Sequence, residues 1–508
     1  MTSATPRLSA SHPGLTGNTT PPPAGIVHLG LGNFHRAHQA VYTHAAIAAH
    51  GGEWGIIGVS NRSATIPRAM HAQDMLYTVV KISPEGSRFS VPRVHTDAFV
   101  AAENPERVIS VIGDAATKIV SLTVTENGYN YSPTTGSLNL QDPGIEHDLA
   151  HPRTPGTPIG QIVRGLQQRA RTHSEAITIL SCDNLAGNGH HTQRLVREFA
   201  SMLPGAQAEE LVAWTDAHVS FPSSMVDRIV PATTDQYRDL VAEQLGYRDL
   251  IPVPAEPFSM WIVEDNFLAG RPAWEAGGAI FSSEVSSYEQ LKLRLLNGTH
   301  SLIAYLGALS CAATIPEAVM QSHIESAARR VLRDEYLPSV SVPVGVDVDA
   351  YEEQLFSRWQ NTALGHRTSQ VGSDGSVKLR QRVPIPALRM LANGQMPHLL
   401  ALTVAAYLSC FAPLTGFDPG AQAQAMEDPA RDLLAGLATR ARSGRELSKL
   451  VISEHQLLGV ELAEREDFIE RTGQLIDLIH ASGPVAAVSD AMGTTGAGSD
   501  SPMRRRPS

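Results

Sequence analysis

At 508 residues the chain exceeds what one hydrophobic core can serve, so two domains are expected. Its 42% hydrophobic and 18% charged residues are those of an ordinary soluble globular protein. A formal charge of −11 and a pI near 6.0 leave no basic footprint for nucleic acid or for an anionic membrane surface.

Residues 1–24 carry Pro21, Pro22 and Pro23 and no apolar signal core, and read as a disordered leader. From 25 to 285 short apolar runs alternate with amphipathic segments, the pattern of a parallel sheet with crossover helices. Strands are expected at 26–29, 55–59, 118–125 and 177–182, with a hairpin insertion at 76–82 and 89–100. Further runs near 219–221 and 258–263 could extend the sheet. From about 286 to 483 the period becomes 3.6, with helices expected at 288–309, 316–336, 350–359, 398–411, 429–447 and 460–479. The greasy run 399–412 is too short for the roughly 18 to 20 residues of a membrane span and reads as a buried helix. Residues 484–508, rich in Gly, Ser, Thr and Ala, read as a disordered tail. Cys182, Cys311 and Cys410 are scattered and lack metal-ligand spacing, which fits a reduced, cytoplasmic compartment.

The first motif runs a strand into Gly30-Leu31-Gly32 and then a helical stretch that includes Asn33 and Phe34. Two such glycines let a backbone turn tightly against a pyrophosphate, although the third fingerprint position holds His35 rather than Gly or Ala. A plain strand-to-helix turn would look the same. After the second strand stand Ser60, Asn61, Arg62 and Ser63, with no carboxylate for an adenosine ribose and with Arg62 available to a 2′-phosphate. NAD and NADP both stay open. The stretch SCDNLAGNG (181–189) brings Asn188 to the carboxyl end of a strand, where a side-chain amide could polarise a carbonyl or simply make a turn. His190 and His191 are adjacent and diverge, so a catalytic metal is not expected.

The stretch Lys292 to His300 sets an amine, an amide and an imidazole in a helical, leucine-rich segment. On a regular α-helix His300 lies about 80° and Asn297 about 140° from Lys292. Desolvation there would lower the Lys292 pKa toward that of a general base. The same residues also suit a snorkelling lysine, a core histidine and an Asn-Gly helix end.

Seven stretches together resemble the mannitol dehydrogenase family, the polyol-specific long-chain dehydrogenases that include mannitol 2-dehydrogenase and fructuronate reductase. They are HLGLGNFHRAHQAVYT (28–43), EWGIIGVSNRS (53–63), SLTVTENGY (121–129), SCDNLAGNG (181–189), FPSSMVDRIVPAT (221–233), YEQLKLRLLNGTHSLIAYLG (288–307) and HRTSQVGSDGSVKLRQR (366–382). The resemblance implies an α/β Rossmann-type N-terminal domain followed by a mostly α-helical C-terminal domain. It implies a catalytic Lys292, with Asn188 and Asn297 holding the substrate oxygen, His300 orienting the polyol and Glu289 gating proton exchange. Asp227 and Lys378 then contact substrate hydroxyls, and Arg367 and Arg382 join them as substrate-binding residues. Gly30, Gly32, Asn33, Phe34, Arg62 and Glu126 hold the cofactor, with NAD expected and NADP open. Asn127 stands where the family commonly has Lys, and Arg380 where Pro is usual.

The resulting expectation is a zinc-independent dehydrogenase interconverting a sugar alcohol and a ketose, with D-mannitol and D-fructose first. A fructuronate reductase is the alternative, since Arg367, Lys378, Arg380 and Arg382 could meet a substrate carboxylate. A third reading is a nucleotide-binding protein without turnover. The partners are a small-molecule polyol or sugar acid; the sequence is silent on oligomeric state and compatible with a monomer.

Overall fold

In the computed structural model, which describes residues 5–12, 22–132 and 135–493, the chain divides into two units, Met1–Ser286 and Ser287–Ser508. The first is built on a six-stranded sheet of β1 (Ala24–Leu29), β2 (Gly55–Ser60), β3 (His95–Val100), β4 (Ile119–Leu122), β5 (Ile177–Ser181) and β6 (Val219–Ser220). All neighbours pair in parallel, in the order 3-2-1-4-5-6. This is the doubly wound arrangement, whose strand order reverses between β1 and β4 and opens a crevice at their carboxyl ends.

The strands read as continuous apolar runs because both faces are covered. Along β1, Val27 and Leu29 enter one core and Ile26 the other, the period-two alternation of a strand. His28 shares the face of Ile26 and is fully buried.

Several elements differ from expectation. The extended stretch 89–100 divides. Val79–Ser83 and Gly86–Ser90 form the hairpin, whereas β3 leaves it and becomes the edge strand beside β2. Met260–Val263 does not extend the main sheet but pairs antiparallel with Ser224–Asp227 in a separate three-stranded sheet. Part of the expected leader is docked: the Leu8 N–H donates to the Arg248 carbonyl at 3.0 Å and its side chain is buried.

The second unit is helical. Thr299–Leu309 and His398–Phe411 are its central helices, and in the latter every residue after His398 is buried, as an all-apolar helix requires. Its first N–H groups are met by the buried Glu335 carboxylate, which accepts from Leu399 at 2.8 Å and Leu400 at 2.7 Å. Burial pushes the Glu335 pKa up to about 8 against those two bonds. Among the described residues no helix is long and apolar enough to cross a membrane.

The segment Lys292–Gly298 is a π-helix, not the regular α-helix expected from the sequence. Gly298 does not end the helix, which continues through Thr299–Leu309. A further correction concerns the tail: Glu466–Gly493 bends at Gly483, φ 82°, and resumes at Pro484 as a helix burying Ala487, Val488 and Ala491. Its end is tied by an Arg330 bond to the Met492 carbonyl at 3.0 Å and by an Arg471–Asp490 ion pair. Ala24, the last residue of the expected leader, already opens β1, and residues 1–4, 13–21 and 494–508 lie outside the described residues. Deleting residues 484–508 is expected to lower the Tm of the second unit by about 5 °C or more, from the lost apolar burial. Calorimetry of the truncated chain checks this.

Candidate active site

In the first unit the candidate residues Gly30, Gly32, Asn33, Phe34 and Glu126 follow the carboxyl ends of β1 and β4, while Arg62 follows β2, Asn188 follows β5 and Asp227 lies on a strand of another sheet. Gly30 has φ +99°, and a Cβ there would lie 2.0 Å from the Thr123 carbonyl oxygen, so only glycine fits. The N–H groups of Gly30 and Leu31 both donate to the Val59 carbonyl, at 2.9 and 3.1 Å, drawing the turn onto β2 as well. α1 (Asn33–Ala37) follows at once, then α2 (Gln39–His50). The buried Arg36 guanidinium braces the turn through the Gly32 carbonyl at 3.3 Å, the Ile251 carbonyl at 2.7 Å and Asn33 Oδ1 at 2.6 Å. Asn33 Nδ2 donates to Thr233 Oγ1 at 3.2 Å, so the Asn33 side chain braces the turn and leaves its backbone to a ligand. Phe34 stacks on His38 with ring centroids 4.9 Å apart. Arg62 is exposed in the turn after β2.

The loop after β4 is held by a carboxylate that sequence reasoning passed over. Asp183 accepts from the N–H groups of Val124 at 3.0 Å and Thr125 at 2.9 Å, and from the Tyr129 hydroxyl at 2.8 Å. These bonds hold Thr125 at φ 65°. Burial raises the Asp183 pKa, and desolvation followed by the Asp183 charge raises that of Glu126 on the same loop.

Asn188 is fully buried, and its amide is spent on backbone. Nδ2 donates to the Asp183 carbonyl at 3.0 Å and the Ser224 carbonyl at 2.7 Å, while Oδ1 accepts from the Ser224 N–H at 2.9 Å. An amide has two hydrogens, so Asn188 can donate to a substrate oxygen only by giving up one of these bonds. The structure shows it as the pin between the 183–188 loop and the strand Ser224–Asp227. Asp227, at the end of that strand, is buried, and its charge helps raise the Tyr42 pKa after burial itself.

In the second unit the π-helix rearranges the predicted residues. Its i→i+5 hydrogen bonding stacks residues five apart, so Lys292 and Asn297 fall on one face instead of about 140° apart. Both are half-buried, as is Glu289 in the preceding helix Val285–Leu291. Gly298 lets the π segment lie on a neighbouring ring: a Cβ there would be 2.4 Å from the Tyr336 ring. The Asn297 carbonyl accepts from Arg382 at 3.0 Å and from Ser301 Oγ at 3.2 Å, and Arg382 also donates to Ser301 Oγ at 2.7 Å.

His300 lies against Trp359 and His366, with ring centroids 5.9 and 5.2 Å away, and its Nε2 is buried without a hydrogen-bond partner among the described residues. Burial first, then His366, Arg382, Arg358 and Lys378, hold its pKa well below the usual value, so the ring is neutral. His366 is lowered to about 4 by burial, Arg358 and Lys378. Lys378 is itself lowered by burial and Arg382, opposed by Asp374 and Asp428, and donates to the Ser373 carbonyl at 2.6 Å. Arg367, in contrast, is exposed and absent from the fields acting on His300 and His366. The buried Arg358, near the end of Val348–Trp359, acts there instead. That helix buries a second charge, Glu352, so no lone charge on an apolar face singled Arg358 out in the sequence. Among the described residues no group of three His, Cys, Asp or Glu side chains is placed to hold a metal ion.

Residues 24–276 match the mannitol dehydrogenase Rossmann domain and residues 284–479 the mannitol dehydrogenase C-terminal domain. The chain is 40% identical over 387 residues to D-mannonate oxidoreductase of Escherichia coli, covering 75% of this chain and 79% of the relative. It is 38% identical over 392 residues to mannitol 2-dehydrogenase of Cereibacter sphaeroides, covering 76% and 81%. The solved Pseudomonas fluorescens mannitol 2-dehydrogenase, a ternary complex with NAD and D-mannitol, superposes with a TM-score of 0.81 at 31% identity, covering 97% of both chains.

Two outcomes follow from this geometry. Asn188→Ala should cost about 2–4 kcal/mol of stability, because it strands a buried Ser224 N–H and two carbonyls; urea denaturation measures it. The second concerns His28, His35 and His95, all buried: burial lowers His28 and His95 to about 3 and holds His35 well below its usual value. Unfolded histidines titrate near 6.5, so below that pH the unfolded chain binds more protons. Their contribution is full above about pH 6.5 and is lost as pH falls toward 3, and the Tm of the first unit should drop between pH 7 and 4, less steeply in His95→Asn.

Proposed function

The chain belongs to the mannitol dehydrogenase family, and from that premise we propose that it interconverts a sugar alcohol and its 2-ketose with a nicotinamide dinucleotide, D-mannitol and D-fructose with NAD being the leading pair. The observation that supports this reading is the π-helix, whose repeat brings Lys292 and Asn297 onto one face, with Asn297 three residues before His300, whose Nε2 has no partner among the described residues. The glycine turn fits the dinucleotide: Gly30 brings bare backbone to the carboxyl ends of β1 and β4, the usual place for a pyrophosphate in this sheet order. Gly30, Gly32 and the Asn33 backbone would hold the phosphates, with Phe34, Arg62 and Glu126 around the rest. When bound, the nicotinamide exchanges hydride with the reacting carbon.

The residues of this chain supply the remainder. Neutral Lys292 accepts the hydroxyl proton during oxidation and, once protonated, returns it during reduction. Asn297 donates an amide hydrogen to the oxygen as its charge grows, the electrostatic task that a metal performs in other dehydrogenases. No hydrogen bond of the Asn297 side chain occurs among the described residues, so this donor is available where that of Asn188 is committed. His300, neutral, accepts from a neighbouring hydroxyl through Nε2, and Asp227, Lys378 and Glu289 serve hydroxyl binding and proton exchange. The reaction proceeds without zinc and is insensitive to chelators. Three free cysteines fit a reducing cytoplasm.

A second reading, a sugar acid such as D-mannonate as substrate, is favoured by the cations around His300 and His366. Arg358, Lys378 and Arg382 all lower the pKa of His300, and Arg358 and Lys378 that of His366, so a positive field acts on both rings. Steady-state assays of mannitol and mannonate, each with NAD and NADP, decide between the two; a strong preference for mannonate selects the second. Lys292→Ala should lower kcat by about 10²–10⁴-fold, leave dinucleotide binding intact and regain part of its rate with a small added amine. Unchanged turnover would remove Lys292 from the role of base.

A further inference from the structure

His35 stands at the turn position where glycine or alanine is usual, and the reaction proposed above makes no use of it. It lies flat on His28 of β1, ring centroids 3.4 Å apart and planes 15° from parallel, so two stacked imidazoles make the helix–strand contact. The pair belongs to a buried circuit. His28 Nδ1 is 2.9 Å from Ser121 Oγ, and His28 Nε2 is 2.9 Å from Thr123 Oγ1 and 3.3 Å from the Gly30 carbonyl oxygen. Oε1 of Gln39 is 3.0 Å from His35 Nδ1 and 2.9 Å from Ser121 Oγ, and His35 Nε2 is 3.1 Å from His95 Nε2. Gln39 Nε2 and His95 Nδ1 are buried without partners among the described residues.

Donor accounting separates two polarities of this circuit. With Oε1 of Gln39 facing His35 and Ser121, both must donate to it. His95 Nε2–H then donates to His35, His28 Nδ1–H donates to Ser121, and His28 Nε2 turns a lone pair toward the Gly30 carbonyl. Two amide hydrogens of Gln39 go unmet. The two ends of an amide are told apart only by the bonds they make, and exchanging them reverses every bond. Gln39 Nε2 then donates to His35 Nδ1 and Ser121 Oγ, Ser121 donates to His28 Nδ1, and His35 Nε2–H donates to His95 Nε2. His28 Nε2–H donates to Thr123 Oγ1, whose hydroxyl donates to the Gly30 carbonyl at 2.9 Å. One N–H, at His95 Nδ1, and one carbonyl oxygen remain unmatched. Unmet buried donors are costly, so the second polarity is favoured.

We propose that His28 and Thr123 are positioning residues for the dinucleotide: a one-directional chain of donors from Gln39 through Ser121 and His28 to Thr123 ends on the Gly30 carbonyl and fixes the turn. This rests on the reading that the dinucleotide phosphates sit at that turn. The circuit is uncharged, so it orients the peptide without adding a charge beside the phosphates.

The test has two parts. Imidazole ¹⁵N chemical shifts of the unmodified protein should show the proton on Nε2 of His28 and His35 and on Nδ1 of His95; a proton on Nδ1 of His28 overturns the assignment. Thr123→Val should raise the KM for NAD and the Kd for NADH about five- to tenfold, with kcat within twofold, and Thr123→Ser should restore both. Dinucleotide affinity unchanged in a folded Thr123→Val protein overturns the positioning role. If that variant does not fold, Ser121→Ala, which cuts the chain one bond earlier, is held to the same criterion. A wild-type protein that binds no dinucleotide at all would instead refute the functional reading.

Discussion

At the carboxyl end of β1 the backbone of Gly30 runs so close to the Thr123 carbonyl that no side chain can stand between them. The sheet order makes this contact unavoidable, because β1 and β4 are neighbours whose following segments leave in opposite directions. Much of the first unit serves to keep that approach in place. β2 contributes the Val59 carbonyl, α1 contributes Arg36 to the Gly32 carbonyl, and Asp183 holds the loop beyond Thr123 by two backbone N–H groups. The turn is therefore held from three directions. A backbone held this way can present N–H groups to a ligand without losing entropy on binding.

In the second unit the comparable device is the π-helix. Its hydrogen bonds are less favourable than those of an α-helix, and such segments persist where surrounding contacts offset the cost. Here the offsets can be named. Arg382 and Ser301 satisfy the Asn297 carbonyl, and Gly298 permits close packing on Tyr336, which itself ends a second π segment, Val331–Tyr336. Two irregular segments thus lean on one another. The gain is rotational: Lys292 and Asn297, which a regular helix would set well apart, come to share a face.

That rotation marks the limit of what the sequence revealed. The strands 26–29, 55–59 and 177–181 were legible because strands covered on both faces are continuous apolar runs. β3 was misplaced because it is half polar and follows the hairpin across Pro92, leaving nothing local to say which sheet takes it. The helix after Pro484 carried apolar residues at 487, 488 and 491, a helical spacing, but the Gly-Pro step read as an end when it is a bend. The candidate residues were proposed from motifs, whereas the bonds the structure gives them depend on partners distant in sequence. Ser224 is 36 residues from Asn188, and no local pattern tells an amide that grips a backbone from one that waits for a substrate.

The buried histidines of the two units differ in what their nitrogens meet. His28, His35 and His95 are neutral because burial, aided at His35 and His95 by neighbouring histidines and Arg36, forbids charge, and their nitrogens are turned on one another and on Gln39, Ser121 and Thr123. His300 is neutral through burial, His366 and nearby cations, and its Nε2 has no hydrogen-bond partner among the described residues. A protonated imidazole has only hydrogens to offer, and a neutral one keeps a lone pair. The same positive field that would attract a carboxylate therefore preserves His300 as an acceptor for a hydroxyl. A substrate carrying both groups would use both properties of the site, and one carrying hydroxyls alone would use the acceptor and not the positive field. A polyol and a sugar acid thus differ in whether the field around His300 and His366 acts on the ligand as well as on the rings.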